Sequence, residues 1–244
     1  MVYTAAAAAM SAMSATVATA DAAARAGFWV YIQGKLPILI DGVKTSYLLY
    51  FTILLIAIPC AVVIAIAKTS APGPVRTALN LYTWLFRGSP LVLQLSVVYY
   101  GFPQIGIVWT PWTVALVVFS LSFAAYEAEV IRGGIISVDK GQYEACKVLG
   151  MNFFQTMRRV VLPQAIRRVL PPTCSEMIIL FKDLSLVTSI ALMDMMRTAQ
   201  RIVIRDLRID AFAFVLVVYL AMASLIVLLF QQVERRLAQA IGTS

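Results

Sequence analysis

The sequence predicts an all-α integral membrane protein with about five transmembrane helices. Its mean hydropathy is +0.86 and only 13% of its 244 residues are charged, which is too apolar for a soluble domain of this length. Uncharged stretches recur along the chain, each close to the roughly 20 apolar residues that cross a bilayer as a helix. The net charge is +8, and in a membrane protein such an excess is typical of cytoplasmic loops and of contact with anionic lipid. We therefore expect membrane lipid, and no nucleic acid, among its partners.

The composition excludes several classes of catalytic and metal site. The chain has no histidine, which removes Ser-His-Asp, Cys-His and histidine-metal chemistry. Its three cysteines, Cys60, Cys146 and Cys174, form no C-x-x-C pair, so neither a disulfide framework nor a metal site is indicated. The sequence also lacks the phosphate-binding motif G-x-x-x-x-G-K-[ST]. We expect this chain to be no enzyme, with no catalytic residue, metal or bound cofactor.

The N-terminal segment, 1–27, is rich in Ala, Ser, Thr and Met. It lacks the basic start of a signal peptide, because Arg25 follows the alanines instead of preceding them. We interpret it as a low-complexity tail or marginal helix, and 28–244 as one transmembrane domain. The first span is predicted at Thr45–Ala67, which is uncharged and ends at Lys68 before a Pro-Gly turn.

Four further spans follow. The uncharged stretch Gly88–Tyr126 is long enough for two, divided by the turn-forming residues Gly101, Pro103, Gly106 and Pro111. The earlier of the two extends back through Asn80–Phe86, and the later one runs over Pro111–Arg132. The shorter apolar pattern Val169–Met193 predicts a broken span, because it is interrupted by Glu176, Lys182 and Asp183. The last span is Ala211–Val233, which is again uncharged.

Five spans place the two termini on opposite sides of the membrane, and the Lys/Arg distribution chooses between the two orientations. Twelve basic residues fall on the side of the central loop, about 133–163, and of the C-terminus, and eight fall on the other side. Seven of the twelve lie between Arg132 and Arg168. The bias predicts a cytoplasmic loop and C-terminus with the N-terminus outside, although the basic cluster Arg197–Arg208 opposes it.

The first half of the central loop predicts a short helix over Gly141–Leu149, with Asp139 near its start. Gly150 is placed to end this helix in the left-handed conformation. Ala145 and Cys146 leave a face of small residues that another protein can approach closely.

The second half of the loop predicts another short helix. Asn152 and Gln155 have the spacing of a capping box, and Pro163 begins the next element. Glu144, in the preceding helix, offers a carboxylate to backbone N–H groups or to a basic partner. An ordinary connecting loop carries the same capping residues, so the local chemistry alone leaves both interpretations open.

The complete spacing is more specific. From Glu144 to Pro163 the pattern E-A-C-x3-G-x9-V-x-L-P resembles E-A-A-x3-G-x9-I-x-L-P, the signature loop of bacterial ABC-importer permeases. Five further segments resemble motifs of the polar amino-acid permeases, the histidine/glutamine/arginine permease-like family: Phe86–Leu91 with Gln94, Ala125–Glu129, Arg132–Gly134, Leu162–Ala165 and Lys182–Leu186. The match covers roughly 42–236 and departs at Cys146, where the family has Ala, and at Leu184, where it has Thr or Ser.

The resemblance implies a type I ABC importer permease fold and a set of partners. These are a cytoplasmic ABC ATPase dimer that holds ATP and Mg²⁺, a second permease subunit, identical or related, and a periplasmic or surface-tethered amino-acid-binding protein. In this family the loop docks into the ATPase. The coupling-loop residues carried over are Gly141, Glu144, Ala145, Cys146, Gly150, Leu162 and Pro163. The implied function is import of a polar amino acid through the cytoplasmic membrane.

The polar residues at membrane depth are candidates for the substrate pathway: Glu176, Ser122, Tyr126, Gln94, Lys182 and Asp183. Ionisable groups there need a partner or a water-filled cavity. A pathway carboxylate at Glu176 favours a basic amino acid, while a structural ion pair is the alternative. Small polar residues such as Ser122 also serve as helix-packing contacts. For Glu127 and Glu129 we expect an ion-pair lattice with Arg132 that holds the loop.

Two other classes of function are weighed against the importer permease. A self-sufficient secondary transporter or channel for small polar solutes is the main alternative, but the sequence shows no internal repeat. A membrane-embedded enzyme is the third class, and it is disfavoured because this chain has no histidine and no clearly paired carboxylates within one span. Co-purification of an ATPase distinguishes all three classes.

Overall fold

The computed structural model describes the backbone of residues 2–240 and the side chains of residues 27–233, 235 and 236. In this part of the chain the backbone forms nine α-helices and no strand. They are α1 (Val2–Ser70), α2 (Gly73–Gly88), α3 (Leu91–Ser96), α4 (Pro111–Ile136), α5 (Lys140–Val148), α6 (Phe153–Thr156), α7 (Leu162–Asp183), α8 (Met195–Asp206) and α9 (Asp210–Ala240). The predicted all-α class is confirmed. The side chains of 1–26, within the predicted N-terminal tail, lie outside the described residues.

Among the described residues, three helical stretches are long and apolar enough to cross a membrane: Gly27–Ser70 of α1, Pro111–Ile136 and Asp210–Val233 of α9. They contain the predicted first, third and last spans. The turn between the second and third spans is confirmed as well, because a 3₁₀ turn covers Phe102–Ile105 and Gly106 has φ +83°. Thr110 then caps α4 by accepting a hydrogen bond from the Thr113 N–H at 3.2 Å.

The two remaining predicted spans are interrupted helices. The continuous second span predicted from Asn80 onward is wrong, because α2 ends at Gly88 and Ser89 is extended at φ −115°, ψ 143°. Proline 90 explains the break, since a residue that precedes proline is pushed out of the α region. The fourth span is broken as predicted, but α7 runs through Pro171 and Pro172 and only tightens into a 3₁₀ helix, Leu184–Ile190, after Asp183.

Helix α4 is the central helix, in contact with α1, α2, α3 and α7. Its buried positions are mostly small or apolar: Val114, Ala115, Val118, Phe119, Ala124, Ala125, Ala128 and Gly134. Small residues let helix backbones approach closely, which is the main source of helix association in a bilayer. The interior of the domain is therefore organised around the surface of α4.

A second centre of packing joins α1, α7 and α9 through aromatic rings. The ring of Phe181 lies 5.3 Å from Tyr50 and 5.5 Å from Tyr47, both on α1, and 5.3 Å from Tyr219 on α9. These are edge-to-face contacts, which add to the stabilisation from burial alone. The Tyr50 hydroxyl also donates to the Met177 carbonyl at 3.2 Å.

The approach of α7 to α4 depends on Gly134. A Cβ atom at this position would lie 2.2 Å from Val169 Cγ2 and 3.3 Å from the Ala165 carbonyl, whereas at Gly133 it would meet nothing within 4 Å. Because β-branched side chains have few rotamers in a helix, Val169 has little freedom to move away.

Gly134→Ala is therefore expected to destabilise the fold by about 1–3 kcal/mol through overpacking. Gly133→Ala is the matched control, and it should be neutral or slightly stabilising because alanine is the better helix former. The measurement is the midpoint of thermal unfolding of both variants in mild detergent. Equal midpoints for the two variants would contradict the close contact at Gly134.

Candidate functional site

A polar cavity of about 170 Å³ lies between the α2–α3 break, α4 and α7. Four of the six predicted pathway residues line it, namely Ser122, Tyr126, Glu176 and Asp183, together with Ser89 from the break. They come from three separate segments of the sequence, which only the packing of α7 on α4 brings together. The cavity therefore presents two carboxylates and three hydroxyl groups.

One cation lies close to these carboxylates. Arg87 interacts favourably with the Glu176 carboxylate, and its guanidinium carbon lies 5.4 Å from the centre of the Tyr126 ring. The Tyr126 hydroxyl donates to the Arg87 carbonyl at 3.2 Å, which fixes the end of α2 against α4. Glu176 and Asp183 are the two charged side chains that line the cavity, and Arg87 is not part of the lining.

Gln94 and Lys182 do not line this cavity. The Gln94 side-chain amide donates to the Phe86 carbonyl at 3.0 Å, to the Ser89 carbonyl at 3.1 Å and to Ser89 Oγ at 2.9 Å. It thereby satisfies backbone carbonyls that the α2–α3 break leaves free, which is a strong requirement inside a bilayer. Lys182 is exposed and its charge interacts favourably with the Asp183 carboxylate. The predicted pathway role of Gln94 and Lys182 stays a prediction.

The predicted ion-pair lattice forms around Glu129. Its carboxylate pairs with Arg132 at 2.7 Å and with Lys68, which also donates to Thr83 Oγ1 at 2.7 Å. Lys68 was not among the sequence candidates, because it lies 61 residues from Glu129 and no local spacing connects them. The lattice joins α1, α2 and α4 at one end of the bundle.

Glu127 stands outside this lattice, and its predicted role there is wrong. Its side chain is buried and accepts a hydrogen bond from Thr173 on α7. Its second oxygen, Oε2, has no hydrogen-bond partner within the described residues. Residues two apart on a helix point about 200° away from each other, so position 127 faces the buried side while Glu129 faces the lattice.

The coupling loop, 133–163, has the predicted capping geometry as far as Gln155. Asp139 caps α5 by accepting from the Gly141 N–H at 2.6 Å, and Gly150 has φ +70°. Asn152 and Gln155 form the predicted capping box, with reciprocal bonds of 2.9 and 3.0 Å. These are local patterns, which sequence spacing predicts well.

The second half of the loop differs from the prediction. Asn152 opens a continuous helical path in which α6 passes through a π-helical turn, Met157–Val161, directly into α7. Pro163 lacks the N–H that would bond the carbonyl four residues earlier, and the wider π turn lies immediately before it. Leu162 and Pro163 form the first turn of α7, so Pro163 stands at the start of this element as predicted, although the helical path from α6 runs into it without a break.

Small residues do not dominate the outer face of the loop. Ala145 and Glu144 are exposed, but Cys146 is buried against its own chain and is 3% exposed, which corrects its predicted place on the contact face. The most exposed apolar side chains are Val148, Leu149, Phe153 and Phe154, with 69–88% exposure. Their signal in the sequence is a pair of apolar residues on each side of Gly150 in an otherwise polar loop.

The loop is fixed to α7 by side-chain contacts. Arg168 donates to the Ser137 carbonyl and to Ser137 Oγ, and Gln164 donates to Gln142 at 3.2 Å. A small apolar cluster, Ile135, Val138, Val161 and Ala165, lies beneath them. These contacts join the loop to the first half of α7.

Comparison with known proteins identifies the family. Residues 57–239 match the model of the binding-protein-dependent transport system inner membrane component. The chain belongs to this family. The resemblance to amino-acid ABC permeases is thereby confirmed at the family level, and the matched region includes both the polar cavity and the coupling loop.

Relatives of this inner membrane component have named substrates. The chain is 35% identical over 219 residues to the L-cystine transport system permease protein TcyB of Bacillus subtilis, covering 88% of this chain and 93% of the relative. It is 37% identical to the arginine transport system permease protein ArtQ of the same organism over 166 residues, covering 68% and 76%.

Solved structures support the fold. A crystal structure of an amino acid ABC transporter with histidines superposes with a TM-score of 0.79 at 31% identity, covering 85% of this chain and 97% of that one. The MetNI methionine ABC transporter in an inward-facing form gives 0.66 at 16% identity and shows likeness of fold alone. The type I importer permease fold is thus confirmed for this inner membrane component.

Removing one partner of a buried ion pair destabilises a protein by roughly 3–5 kcal/mol. We expect Lys68→Met to fall at the lower end of this range, because Arg132 still compensates the charge of Glu129. The double variant Lys68→Met/Glu129→Gln should recover part of this loss. The exposed pair Lys44–Asp41 supplies the control, and Lys44→Met should change stability by less than about 1 kcal/mol. Thermal unfolding in detergent measures all three, and a Lys68→Met variant as stable as Lys44→Met would contradict the buried lattice.

Proposed function

We propose that this chain is the transmembrane permease subunit of an ABC importer that carries an amino acid across the cytoplasmic membrane. One observation carries the proposal: a single helical path, from Asn152 to Asp183, has the coupling loop at one end and cavity-lining carboxylates at the other. A motion imposed on the loop by a partner would reach the cavity through this path. The permease function of the relatives supports the same assignment.

The proposed partner at the loop is a dimeric ABC ATPase that binds ATP and Mg²⁺ on its own chain. Exposed Val148, Leu149, Phe153 and Phe154 give the loop an apolar contact surface, of the kind that marks protein interfaces. A second permease subunit, identical or related, and a periplasmic or surface-tethered amino-acid-binding protein complete the proposed assembly. The Lys/Arg distribution supports a cytoplasmic loop and C-terminus with the N-terminus outside.

A basic amino acid is the proposed substrate. Glu176 and Asp183 line the cavity, and a carboxylate at membrane depth complements a cationic group. Arg87 interacts with Glu176 and offers a complement to a substrate carboxylate. Named substrates of the relatives are cystine, arginine and glutamine, so the charge of the site, and not the relatives, favours the basic class.

Gly150→Val should abolish uptake while the protein still inserts in the membrane. Valine in the left-handed region costs about 1–2 kcal/mol and would reorient the two helices of the loop. Gly150→Asn is the matched control, because asparagine adopts this conformation readily and a Cβ atom here meets nothing within 4 Å.

The measurement is amino-acid uptake in proteoliposomes containing the complex that co-purifies with each variant. Normal uptake by Gly150→Val would contradict a coupling role for the loop. Uptake by the wild-type chain without any co-purified ATPase would instead establish a self-sufficient transporter.

Glu176→Gln keeps the shape of the side chain and removes its charge. Loss of a charge-assisted hydrogen bond should weaken a cationic substrate by about 1.5–3 kcal/mol, or roughly ten- to a hundredfold in affinity. Glu127→Gln removes a neighbouring charge that does not line the cavity and serves as the control.

The measurement is substrate-stimulated ATP hydrolysis in proteoliposomes with basic, neutral and acidic amino acids. We expect Glu176→Gln to lose the response to basic amino acids selectively and Glu127→Gln to keep the wild-type order. An unchanged substrate order in Glu176→Gln would show that Glu176 is structural.

A further inference from the structure

A second groove, of about 500 Å³, lies between α1 and α8, away from the polar cavity. Its lining is largely apolar, with Ile38, Met193, Ile202 and Ile204, but it also includes Arg201 and Arg205. The two arginines are four residues apart on α8, so they lie on one face of the helix. We call this the cationic groove.

The charges around the cationic groove are not balanced. Asp206 is shared by Arg205, at 2.7 Å, Lys35, at 3.0 Å, and the Tyr31 hydroxyl, at 2.7 Å. These hydrogen bonds, from Arg205 first, hold the pKa of the Asp206 carboxyl well below its usual range. The Arg201 guanidinium donates to the Met193 sulfur at 3.5 Å, which is a weak acceptor. The patch keeps a net positive charge.

The cationic groove lies at the end of a membrane span. Asp210 begins the apolar stretch Asp210–Val233, and Arg208, which pairs with it, stacks 4.2 Å from the Tyr31 ring centre on α1. The level of Tyr31 is therefore near the membrane boundary. Ile38 lies on α1 between Lys35 and the exposed Asp41–Lys44 pair. The groove thus lies at the polar end of the bundle, at the level where the last span begins.

The α8–α9 connection exposes large aliphatic side chains beside the groove. Ile204, Leu207 and Ile209 are 75%, 89% and 76% exposed. Leu207 has φ +53°, a left-handed conformation that is unfavourable for leucine. A basic helix with aliphatic residues alongside is typical of a segment in the headgroup region of a bilayer.

We propose that the cationic groove binds an anionic phospholipid, with the lipid phosphate at Arg201 and Arg205 and an acyl chain along Ile38 and Ile204. Guanidinium groups bind phosphate oxygens with strong charge-assisted hydrogen bonds. The groove favours lipid over an acidic protein surface because its lining is mostly apolar and the exposed Ile204, Leu207 and Ile209 lie beside it. The site is separate from the proposed transport role and does not depend on it.

The first experiment measures lipid binding to the full chain, in its co-purified complex, by native mass spectrometry in mild detergent. The probes are phosphatidylglycerol and, as the zwitterionic reference, phosphatidylcholine. Arg201→Gln should weaken phosphatidylglycerol binding by about fivefold and leave phosphatidylcholine binding unchanged. Arg201→Lys keeps the charge and should retain most of the binding. Equal phosphatidylglycerol binding by Arg201→Gln and the wild type would overturn the proposal.

The second experiment measures the polarity of the surroundings of the α8–α9 connection. In a background without Cys60, Cys146 and Cys174, an environment-sensitive fluorophore on Leu207→Cys should report an apolar environment in phosphatidylglycerol vesicles. The same fluorophore on Leu149→Cys, in the coupling loop, should report water. A probe at 207 that stays in water until an acidic protein is added would overturn the proposal and assign this face to protein docking.

Discussion

The close packing of other helices on α4 positions almost every functional element of this protein. Its buried face is built from Ala115, Ala124, Ala128 and Gly134, and in a bilayer such small residues provide the contact that holds helices together. The polar cavity exists where α7 and the α2–α3 break meet this face. The coupling loop depends on the same face, because Gly134 lets α7 approach where Val169 lies.

The carboxylates Glu127, Glu129 and Glu176 have three different environments within this helix bundle. Glu129 is compensated by two cations, so its charge stabilises the end of the bundle. Glu127 is buried with one hydrogen bond from Thr173, and Glu176 lines the polar cavity. An ionisable group in a membrane is costly unless it is paired or wet. This contrast separates the paired Glu129 from Glu176, for which we propose contact with the substrate.

Sequence reasoning succeeded where the cause of a feature is local. Gly150, Asp139 and the Asn152–Gln155 capping box act within a few residues, and each has the predicted conformation. It failed where the cause lies far along the chain or across the fold. Lys68 meets Glu129 only because α1 packs on α4, and Cys146 faces inward only because α5 folds back on the start of α7. The contacts of Gln94 at the α2–α3 break were missed for the same reason, since the backbone break that Gln94 satisfies is a property of the folded chain.

The helical path from the coupling loop to the cavity has consequences for how force would travel through a permease. Phe153–Asp183 spans roughly 45 Å at 1.5 Å per residue, and it is held near its middle by the Arg168–Ser137 contact and near its end by the rings around Phe181. Between these points lie the Gly134 contact and Glu176. Because the path is held at its middle and its end, and stretching a helix breaks its backbone hydrogen bonds, we expect tilting of α7 on α4 to be the softer motion. Such a tilt would change the distance between Glu176 on α7 and Tyr126 on α4, so we propose that the width of the polar cavity and the position of the coupling loop would vary together.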